Sequence, residues 1–288
     1  MEYENQFEKS ANRTQRHRKD RLFAFSLILP GIIVLAVLVL ILAMLVVKGV
    51  KAFTPDFFLS VQKPFGVEGG GIVNGILGTL LIMLMASIIS IPFALIFSVT
   101  LIEKKDSQLA RLLELCLSSF QGVPSIVFGV ILYSWLVVPL RSYSAFSAAI
   151  AVSFIMIPTV SATIKEVLLL VPSSYKEAAI SLGVPRWRAM VGVIVPSAMP
   201  GIKGAVGLGL ARIAGETAPL LFTAFGNPFL SLDPAKPVSA MPLIIYDYIK
   251  SPYADWHQKA WGTALLLVLM VFALTLTISA RQKNAHNH

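Results

Sequence analysis

The sequence predicts an all-α integral membrane protein that crosses the bilayer six times, on the evidence of its composition, its uncharged runs and the placement of its basic residues. Hydrophobic residues make up 56% of the 288 residues and charged residues 14%, and the mean hydropathy is +0.76. A soluble domain has a more polar composition, because it must keep its surface in water. The composition therefore indicates lipid as the solvent for most of the chain.

Five uncharged runs are each long enough to span a membrane, since a hydrocarbon core about 30 Å thick needs about 20 helical residues. These runs, which contain no Asp, Glu, Lys or Arg, are residues 22–47, 72–102, 115–140, 142–164 and 260–280. Helices are expected because the period-two alternation of a membrane β-barrel is absent. A sixth span is predicted over residues 201–226, where Lys203, Arg212 and Glu216 interrupt the apolar pattern.

The net charge of +9 is explained by membrane topology. The positive-inside rule places both termini and the second and fourth connections in the cytoplasm, and an even number of spans makes this arrangement self-consistent. The first connection, with Lys48, Lys51 and Lys63, fits the rule least well. An RNA-binding tail is disfavoured because no aromatic residues interleave with the basic ones. The basic residues that define the cytoplasmic side are Lys9, Arg13, Arg16, Arg18, Lys19, Arg21, Lys165, Lys176, Arg186, Arg188, Arg281 and Lys283.

No residue pattern in the sequence predicts catalysis or a metal site. The chain has a single cysteine, Cys116, so an internal disulfide is excluded. Cys116 lies in an apolar run. The histidines are scattered over tails and one loop edge, at His17, His257, His286 and His288. The glycines at 69–71 are not followed by the Lys-Ser/Thr pair of a phosphate-binding loop. We therefore expect no enzymatic activity, metal or cofactor on this chain.

The fourth connection, about residues 165–200, is long and patterned, and it predicts two short helices. Ser174 and Glu177 have the spacing of a capping box, and Gly183 suits the left-handed position that follows a helix. Pro196 is expected to end the second helix. On this reasoning, Glu177 is either a helix cap or a functional residue.

The same connection resembles a known motif. It reads Glu177-Ala178-Ala179, three residues, Gly183, nine residues and then Val193-Ile194-Val195-Pro196. This pattern is similar to the EAA loop of ABC importer permeases, although that family more often has Ile and Leu at two of the valine positions. The resemblance implies that Glu177, Ala178, Ala179 and Gly183 form the coupling contact of a helix pair that docks into a groove on a partner ATPase. Helix-in-groove docking is favoured by small residues that allow close approach.

The two charges inside the sixth predicted span are its costliest feature. Arg212 and Glu216 lie four residues apart, so they would share one face of an uninterrupted helix. Each costs about 2.5–3.5 kcal/mol at the centre of a membrane helix. Two explanations stay open: an ion pair that orients helix packing, or a solute path facing an aqueous cavity, where an arginine suits an anion.

The segment around these charges resembles one group of permeases closely. Residues 211–224, with the sequence ARIAGETAPLLFTA, are similar to the signature of the A-type permeases of phosphate-specific ABC importers, and residues 70–79 and 122–129 resemble the same group. The resemblance implies the six-helix transmembrane domain of a type I ABC importer, which moves inorganic phosphate across a bacterial or archaeal cytoplasmic membrane. It also implies that Arg212 and Glu216 line or gate the phosphate path.

The resemblance implies partners as well. These are a homologous C-type permease that forms a heterodimer with this chain, two copies of an ATPase subunit that bind ATP and Mg, and an external phosphate-binding protein. The chain is accordingly divided into a basic cytoplasmic tail (1–21), a first transmembrane helix with an external loop (22–71), the importer transmembrane domain (72–281) and a C-terminal tail (282–288).

Alternatives stay open on the sequence. Permeases for sulfate, molybdate or phosphonate share the architecture, so the anion is not fixed. A gradient-driven secondary anion transporter would use Arg212 and Glu216 for ion or proton coupling, but it leaves the EAA loop unexplained. A membrane scaffold would use the two charges as a structural pair. The external connection, about residues 227–259, is either a helix at the membrane surface or a landing surface for the binding protein.

Overall fold

A computed structural model describes residues 2–64, 67 and 69–285 of the chain. These residues form helices joined by turns and loops, and the β pairing among them is one isolated bridge between Phe225 and Val238. The helices are α1 Glu2–Gly49, α2 Pro55–Leu59, α3 Val73–Glu103, α4 Gln108–Gly122, α5 Ser125–Leu132, α6 Val138–Leu140, α7 Ala145–Leu169, α8 Ser173–Ser181, α9 Arg186–Ala189, α10 Val195–Ser197, α11 Met199–Ala214, α12 Ala218–Thr223, α13 Met241–Ile249 and α14 Ala254–Ala285.

Four described helical segments are long and apolar enough to cross a membrane. They are Phe25–Ala52, Val73–Glu103, Ala145–Leu169 and Ala254–Ile278. Two bent helix pairs meet the same criteria when each pair is taken as one span, Gln108–Gly122 with Ser125–Leu140 and Arg186–Ser197 with Met199–Ala214. The predicted six crossings are reached when both bent pairs are counted.

The chain divides into two compact units, residues 1–48 and residues 49–288. The first unit is the single helix α1, which runs through Pro30 without a break. Most of its apolar side chains from Phe25 to Val47 are exposed, as in a helix that faces lipid. The second unit contains the other helices.

The third predicted span is not the straight helix expected from the sequence. α4 ends at Gly122, α5 begins at Ser125, and the two are bent by 102°. Pro124 accounts for the break, because proline lacks an N–H and disfavours the helical conformation in the residue before it. Val123 accordingly has an extended backbone, with φ −76° and ψ 129°. Pro158, by contrast, stays inside α7.

The span predicted over residues 201–226 ends earlier than expected. α11 ends at Ala214, and the short helix α12 follows after a break at residues 215–217. Gly215 is a poor helix former, and Pro219 cannot donate the hydrogen bond that would continue the helix. The charged span is therefore interrupted close to both of its inner charges.

Pro196 does not end the second helix of the fourth connection. Helical structure continues through Ser197, and a bend of 73° follows near Ala198. A π-helical turn over Met190–Ile194 directly precedes the α10 turn that holds Pro196. Proline removes one donor from the preceding turn, and the wider π hydrogen bonding accommodates that loss.

The core of the second unit is formed by α3, α7 and α11, with α14 packed against them. Small side chains line the contact between α3 and α7 and allow the two helices to approach closely. The hydroxyl of Ser98 donates to the carbonyl of Ser161 at 2.8 Å, and that of Ser153 donates to the carbonyl of Ala86 at 3.4 Å. Glycines of α11 fit against side chains of α7 in a similar way.

The loop at residues 224–240 is bound to the N-terminal end of α3. Asn74, at the start of α3, donates to Gln62 Oε1 at 2.8 Å and to the carbonyl of Asn227 at 2.7 Å. The hydroxyl of Thr79 accepts a hydrogen bond of 2.8 Å from the first N–H of α13. The loop is therefore a fixed part of the fold.

We expect Gly78→Ala to destabilise this end of the helix bundle. A Cβ at Gly78 would overlap the carbonyl oxygen of Ser239, a backbone atom that cannot move without the loop. Overpacking of this kind costs about 1–3 kcal/mol, which corresponds to a fall in Tm of roughly 3–10 °C. Thermal unfolding of the purified chain in detergent measures the change.

Gly122→Ala is the matched control, since no atom of a packed neighbour lies within 4 Å of its Cβ position. Its Tm should equal that of the wild type. An unchanged Tm for Gly78→Ala would contradict the close approach of the loop.

Candidate functional site

The first helix of the fourth connection, α8, does not have the predicted capping box. Pro172 occupies the N-cap position, and no side chain caps the helix. Ser174 and Glu177 both lie inside the helix, so neither stands where a capping box requires it. The side chains of Glu177 and Ala178 are exposed, and Ala179 is buried against the protein. Glu177 is therefore a surface residue of α8.

Gly183 ends α8 in the predicted left-handed conformation, with φ +83°. Its N–H donates to the carbonyl of Ile180 at 2.9 Å, and the N–H of Val184 donates to the carbonyl of Ala179 at 3.1 Å. These are the two hydrogen bonds of a Schellman motif. No atom of a packed neighbour lies within 4 Å of a Cβ at this position. Glycine is thus favoured by the backbone conformation and not by lack of space.

The helix pair α8 and α9 presents apolar side chains to its surroundings. Leu182 is 85% exposed and Trp187 is 62% exposed, and Tyr175 and Ile180 are exposed beside them. The Arg188 guanidinium lies 5.1 Å from the centre of the Trp187 ring. Several large apolar side chains exposed on one short helix pair are typical of a protein contact.

Two ion pairs join the helix ends near this loop. Lys176 of α8 pairs with Glu103, the last residue of α3. Lys165 of α7 pairs with Glu114 of α4 at 2.5 Å. The first pair is better shielded from solvent, since 28% and 17% of its two side chains are exposed, whereas Glu114 is 60% exposed. Shielded pairs are screened less by salt, so α8 is held firmly to the end of α3.

Arg212 and Glu216 do not share a helix face, because α11 ends between them. Arg212 lies in the last turn of α11, and Glu216 lies in the break that follows. Among the ion pairs of the described residues there is none between these two side chains. The structural ion pair that the sequence left open is therefore not formed here.

Arg212 is exposed on the surface of the chain, and it donates one hydrogen bond to Thr159 of α7. Arg212 Nη1 donates to Thr159 Oγ1 at 2.8 Å. The preceding residue, Pro158, accepts a hydrogen bond of 3.2 Å from Gln121 Nε2 at the end of α4. The C-terminal ends of α4 and α11 therefore both contact the middle of α7 at this site.

The short helices that follow the two breaks also pack together. A Cβ on Gly129 of α5 would lie 2.8 Å from the Cα of Pro219 in α12, so the two backbones are in direct contact. Interrupted helices at membrane depth are tolerated only where the free backbone groups are buried in protein or face a water-filled cavity. The breaks beside Arg212 are consistent with such a cavity on the exposed side of the chain.

One face of α13 packs on the protein. Leu243, Ile244 and Tyr248 are buried, which leaves mainly Tyr246 and Ile249 of its apolar cluster exposed. Burial raises the pKa of Tyr248 to about 12, so its hydroxyl stays protonated at neutral pH. Both interpretations of this segment, a helix at the membrane surface and a landing surface for a binding protein, stay predictions.

A cleft of about 600 Å³ lies between the first connection and the loop that follows α12. Its inner polar groups are already bonded: Gln62 Oε1 accepts from Asn74, and Asn227 Nδ2 donates to the carbonyl of Pro237. Within the part of the chain that the structure describes, no three His, Cys, Asp or Glu side chains lie close enough to hold a metal ion. The loop α8–α9 and the surroundings of Arg212 are thus the candidate sites.

Comparison with known proteins identifies the family. The model of the family described as binding-protein-dependent transport system inner membrane component matches residues 90–285. The phosphate transport system permease protein PstA of Pasteurella multocida is 39% identical over 242 residues, which cover 84% of this chain and 85% of that protein. PstA of Yersinia pestis is 34% identical over 285 residues, with 98% and 96% covered. The chain belongs to this family of inner membrane components, among the PstA permeases.

Solved structures agree with this assignment at the level of the fold. The inward-facing MetNI methionine ABC transporter superposes with a TM-score of 0.58 at 19% identity, covering 74% of this chain and 93% of that one. An amino acid ABC transporter crystallised with histidines gives a TM-score of 0.53, also at 19% identity, with 74% and 92% covered. The predicted fold class, an all-α transmembrane domain of the type I importers, is confirmed. As a PstA-type permease, the chain is a multi-pass membrane protein that works with other importer subunits and a substrate-binding protein.

Two functional candidates were missed by the sequence analysis. Thr159 gives little signal in the sequence, since a hydroxyl beside a membrane proline is common. Lys176 contributed only to the topology argument, although Glu103 at the end of a long uncharged run was an available partner. Pairing residues that lie 73 positions apart requires the fold to bring α8 to the end of α3, which sequence spacing does not give.

We expect Lys176→Glu to loosen α8, because it replaces an attraction to Glu103 by a repulsion. A pair of this kind is worth about 1 kcal/mol or less, so the backbone N–H groups of α8 should exchange hydrogen roughly fivefold faster. Hydrogen exchange followed by mass spectrometry on the purified chain measures this. The double reversal Lys176→Glu with Glu103→Lys should restore the slow rate.

The matched control is Lys104→Glu, which makes the same change of charge at an exposed neighbour of Glu103. Exchange in α8 should then stay at the wild-type rate. If the two single variants behave alike, the Lys176–Glu103 pair does not anchor α8.

Proposed function

We propose that the chain is the permease subunit of an ATP-driven importer and carries inorganic phosphate across the cytoplasmic membrane. The observation that carries the proposal is Arg212, an arginine at the broken end of a membrane helix whose guanidinium is exposed and only partly bonded. The PstA proteins to which the chain is similar are named as phosphate transport system permeases. An arginine fork matches the oxygen geometry of a phosphate anion.

In this proposal Arg212 lines the path and Glu216 gates it. The guanidinium lowers the free energy of the anion as it passes between apolar membrane helices. Glu216 lies in the break after α11 and carries the opposite charge, so its approach to the path would oppose an anion and its withdrawal would admit one. The free side of this surface would face a homologous C-type permease, which completes a heterodimer around the cavity.

Coupling to ATP is assigned to α8 and α9. Glu177, Ala178, Ala179 and Gly183 would form the contact with an ATPase subunit, one copy for each permease, and the exposed Leu182 and Trp187 support a contact of this kind. ATP and Mg would bind to those partner subunits. Their closure would move α8, and the Lys176–Glu103 pair would transmit that movement to α3.

The proposed topology places both termini and the α8–α9 loop in the cytoplasm of a bacterium or archaeon. The loop at residues 224–240 and α13 then face outside, where a phosphate-binding protein would deliver its anion. The bonds that tie this loop to α3 support a rigid landing surface. Alternating access would follow, because closure of the ATPase pair on one side and docking of the binding protein on the other favour different arrangements of the same helices.

We expect Arg212→Gln to abolish phosphate uptake while the complex still assembles. Loss of a charged hydrogen-bond donor to the anion costs up to about 3 kcal/mol, so the initial rate should fall roughly 100-fold. The assay is uptake of labelled phosphate into vesicles that contain the full complex. Arg111→Gln, which removes an exposed arginine of α4, should transport at the wild-type rate.

Normal uptake by Arg212→Gln would remove Arg212 from the path. The same vesicles distinguish the anion when each binding protein is supplied in turn. Uptake of sulfate or molybdate in place of phosphate would overturn the phosphate assignment and leave the importer assignment intact. Uptake that persists without any ATPase and collapses with the ion gradient would instead favour a secondary transporter.

We expect Gly183→Val to uncouple ATP hydrolysis from uptake. The left-handed conformation of residue 183 is strained for a β-branched residue by about 1–2 kcal/mol, so the turn between α8 and α9 should change shape. The ratio of phosphate imported to ATP hydrolysed should then fall severalfold. Gly183→Asn is the control, because asparagine tolerates this conformation and should keep the ratio near that of the wild type. A normal ratio for Gly183→Val would remove the turn from the coupling contact.

A further inference from the structure

Thr159 and Arg212 form one of the few side-chain hydrogen bonds between two membrane helices in the described chain, and it lies at the proposed anion site. Arg212 Nη1 donates to Thr159 Oγ1 at 2.8 Å. Thr159 is half-buried in the middle of α7, whereas Arg212 is exposed in the last turn of α11. The arginine therefore depends on a more enclosed residue of another helix for its orientation.

The polarity of the hydrogen bond follows from the neighbours of Thr159. The Thr159 hydroxyl donates its proton to the carbonyl of Ile155 at 3.3 Å, one turn earlier in α7. Its lone pairs are thereby left to accept from Arg212. A guanidinium can only donate, so the two groups are complementary.

One acceptor on Nη1 restricts the whole guanidinium, because this group is planar and its five N–H donors are fixed relative to each other. Arg212 forms no other hydrogen bond and no ion pair with the residues that the structure describes. The edge formed by Nε and Nη2 is therefore available, and this is an edge that binds two oxygens of an oxyanion at once.

We propose that Thr159 is a positioning residue of the anion path: by accepting from Nη1 it directs the Nε and Nη2 edge of Arg212 toward the passing oxyanion. The inference rests on the proposed function, in which Arg212 lines that path. It adds a residue on α7 whose hydroxyl sets the geometry of the arginine without touching the anion. Arg212 without this acceptor would spread over several rotamers, and binding would have to restrict them again.

The decisive variant is Thr159→Val, which keeps the branched shape of threonine and removes only the acceptor. In vesicles with the full complex, we expect the maximal rate of labelled phosphate uptake to fall about tenfold, the size of effect expected for one hydrogen bond to a charged group. The concentration of loaded binding protein that gives half the maximal rate should not change, because docking takes place on the external side. Thr159→Ser keeps the hydroxyl and should restore at least half of the rate.

Thr163→Val is the matched control. Thr163 lies one turn further along α7, is half-buried, and donates to the carbonyl of Thr159 at 3.0 Å instead of contacting Arg212. We expect it to transport at the wild-type rate. An equal loss in Thr163→Val and Thr159→Val would mean that α7 merely needs its hydroxyls, and it would overturn the positioning role.

The outcomes separate this inference from the proposed function. If Arg212→Gln abolishes uptake and Thr159→Val is normal, the positioning role is wrong and the path assignment stands. If Arg212→Gln is normal, the path assignment itself is wrong. If the Thr159→Val complex does not assemble, Thr159→Ala provides the same comparison with Thr159→Ser, and a normal rate for Thr159→Ala would overturn the inference.

Discussion

Backbone hydrogen bonding in lipid is the constraint on which the rest of this structure depends. A peptide group without a partner costs several kcal/mol in a hydrocarbon environment, so a membrane chain is expected to run as uninterrupted helices wherever it meets lipid. This chain obeys the rule in α3, α7 and α14 and departs from it at residues 123–124, near residue 198 and at residues 215–217. A proline lies within about two residues of each departure. The short helices that follow two of these breaks, α5 and α12, then pack on each other at Gly129 and Pro219.

The same constraint explains why charge and irregular backbone occur together. An arginine inside a membrane span is tolerated when it reaches water or a fixed acceptor, and Arg212, which is exposed at the end of α11, has such an acceptor in Thr159. If α11 continued to residue 226, its surface around Arg212 would be packed on protein or would face lipid for another three turns. The guanidinium would then not be exposed. The end of the helix at Ala214 therefore lowers the free-energy cost of placing Arg212 in a membrane.

Much of the fold could be predicted from the sequence, since long uncharged runs predict six membrane spans. The structure reaches this number when its two bent helix pairs are each counted as one span. Gly183 was predicted correctly because its left-handed position is a local property of the turn. The capping box at Ser174 was wrong because the N-cap of α8 is Pro172, two residues earlier. The shared face of Arg212 and Glu216 was wrong because spacing assumes a continuous helix. Thr159 could not be predicted at all. Its role depends on how α7 packs beside α11, and no local pattern in the sequence specifies that contact.

The two candidate sites belong to one continuous stretch of chain, which gives the proposed coupling a physical route. From α8 to the end of α11 the chain runs through short turns and one bend of 73°, and Arg212 lies at its far end. Movement of α8 can therefore reach Arg212 along α11, while the Lys176–Glu103 pair carries the same movement to α3. α11 packs closely on α7, because side chains of Val167 and Val160 fill the space over Gly201 and Gly209. Since the Arg212–Thr159 hydrogen bond crosses that contact, any sliding of α11 against α7 must strain or break it, and the arginine would lose its orientation in one of the two states.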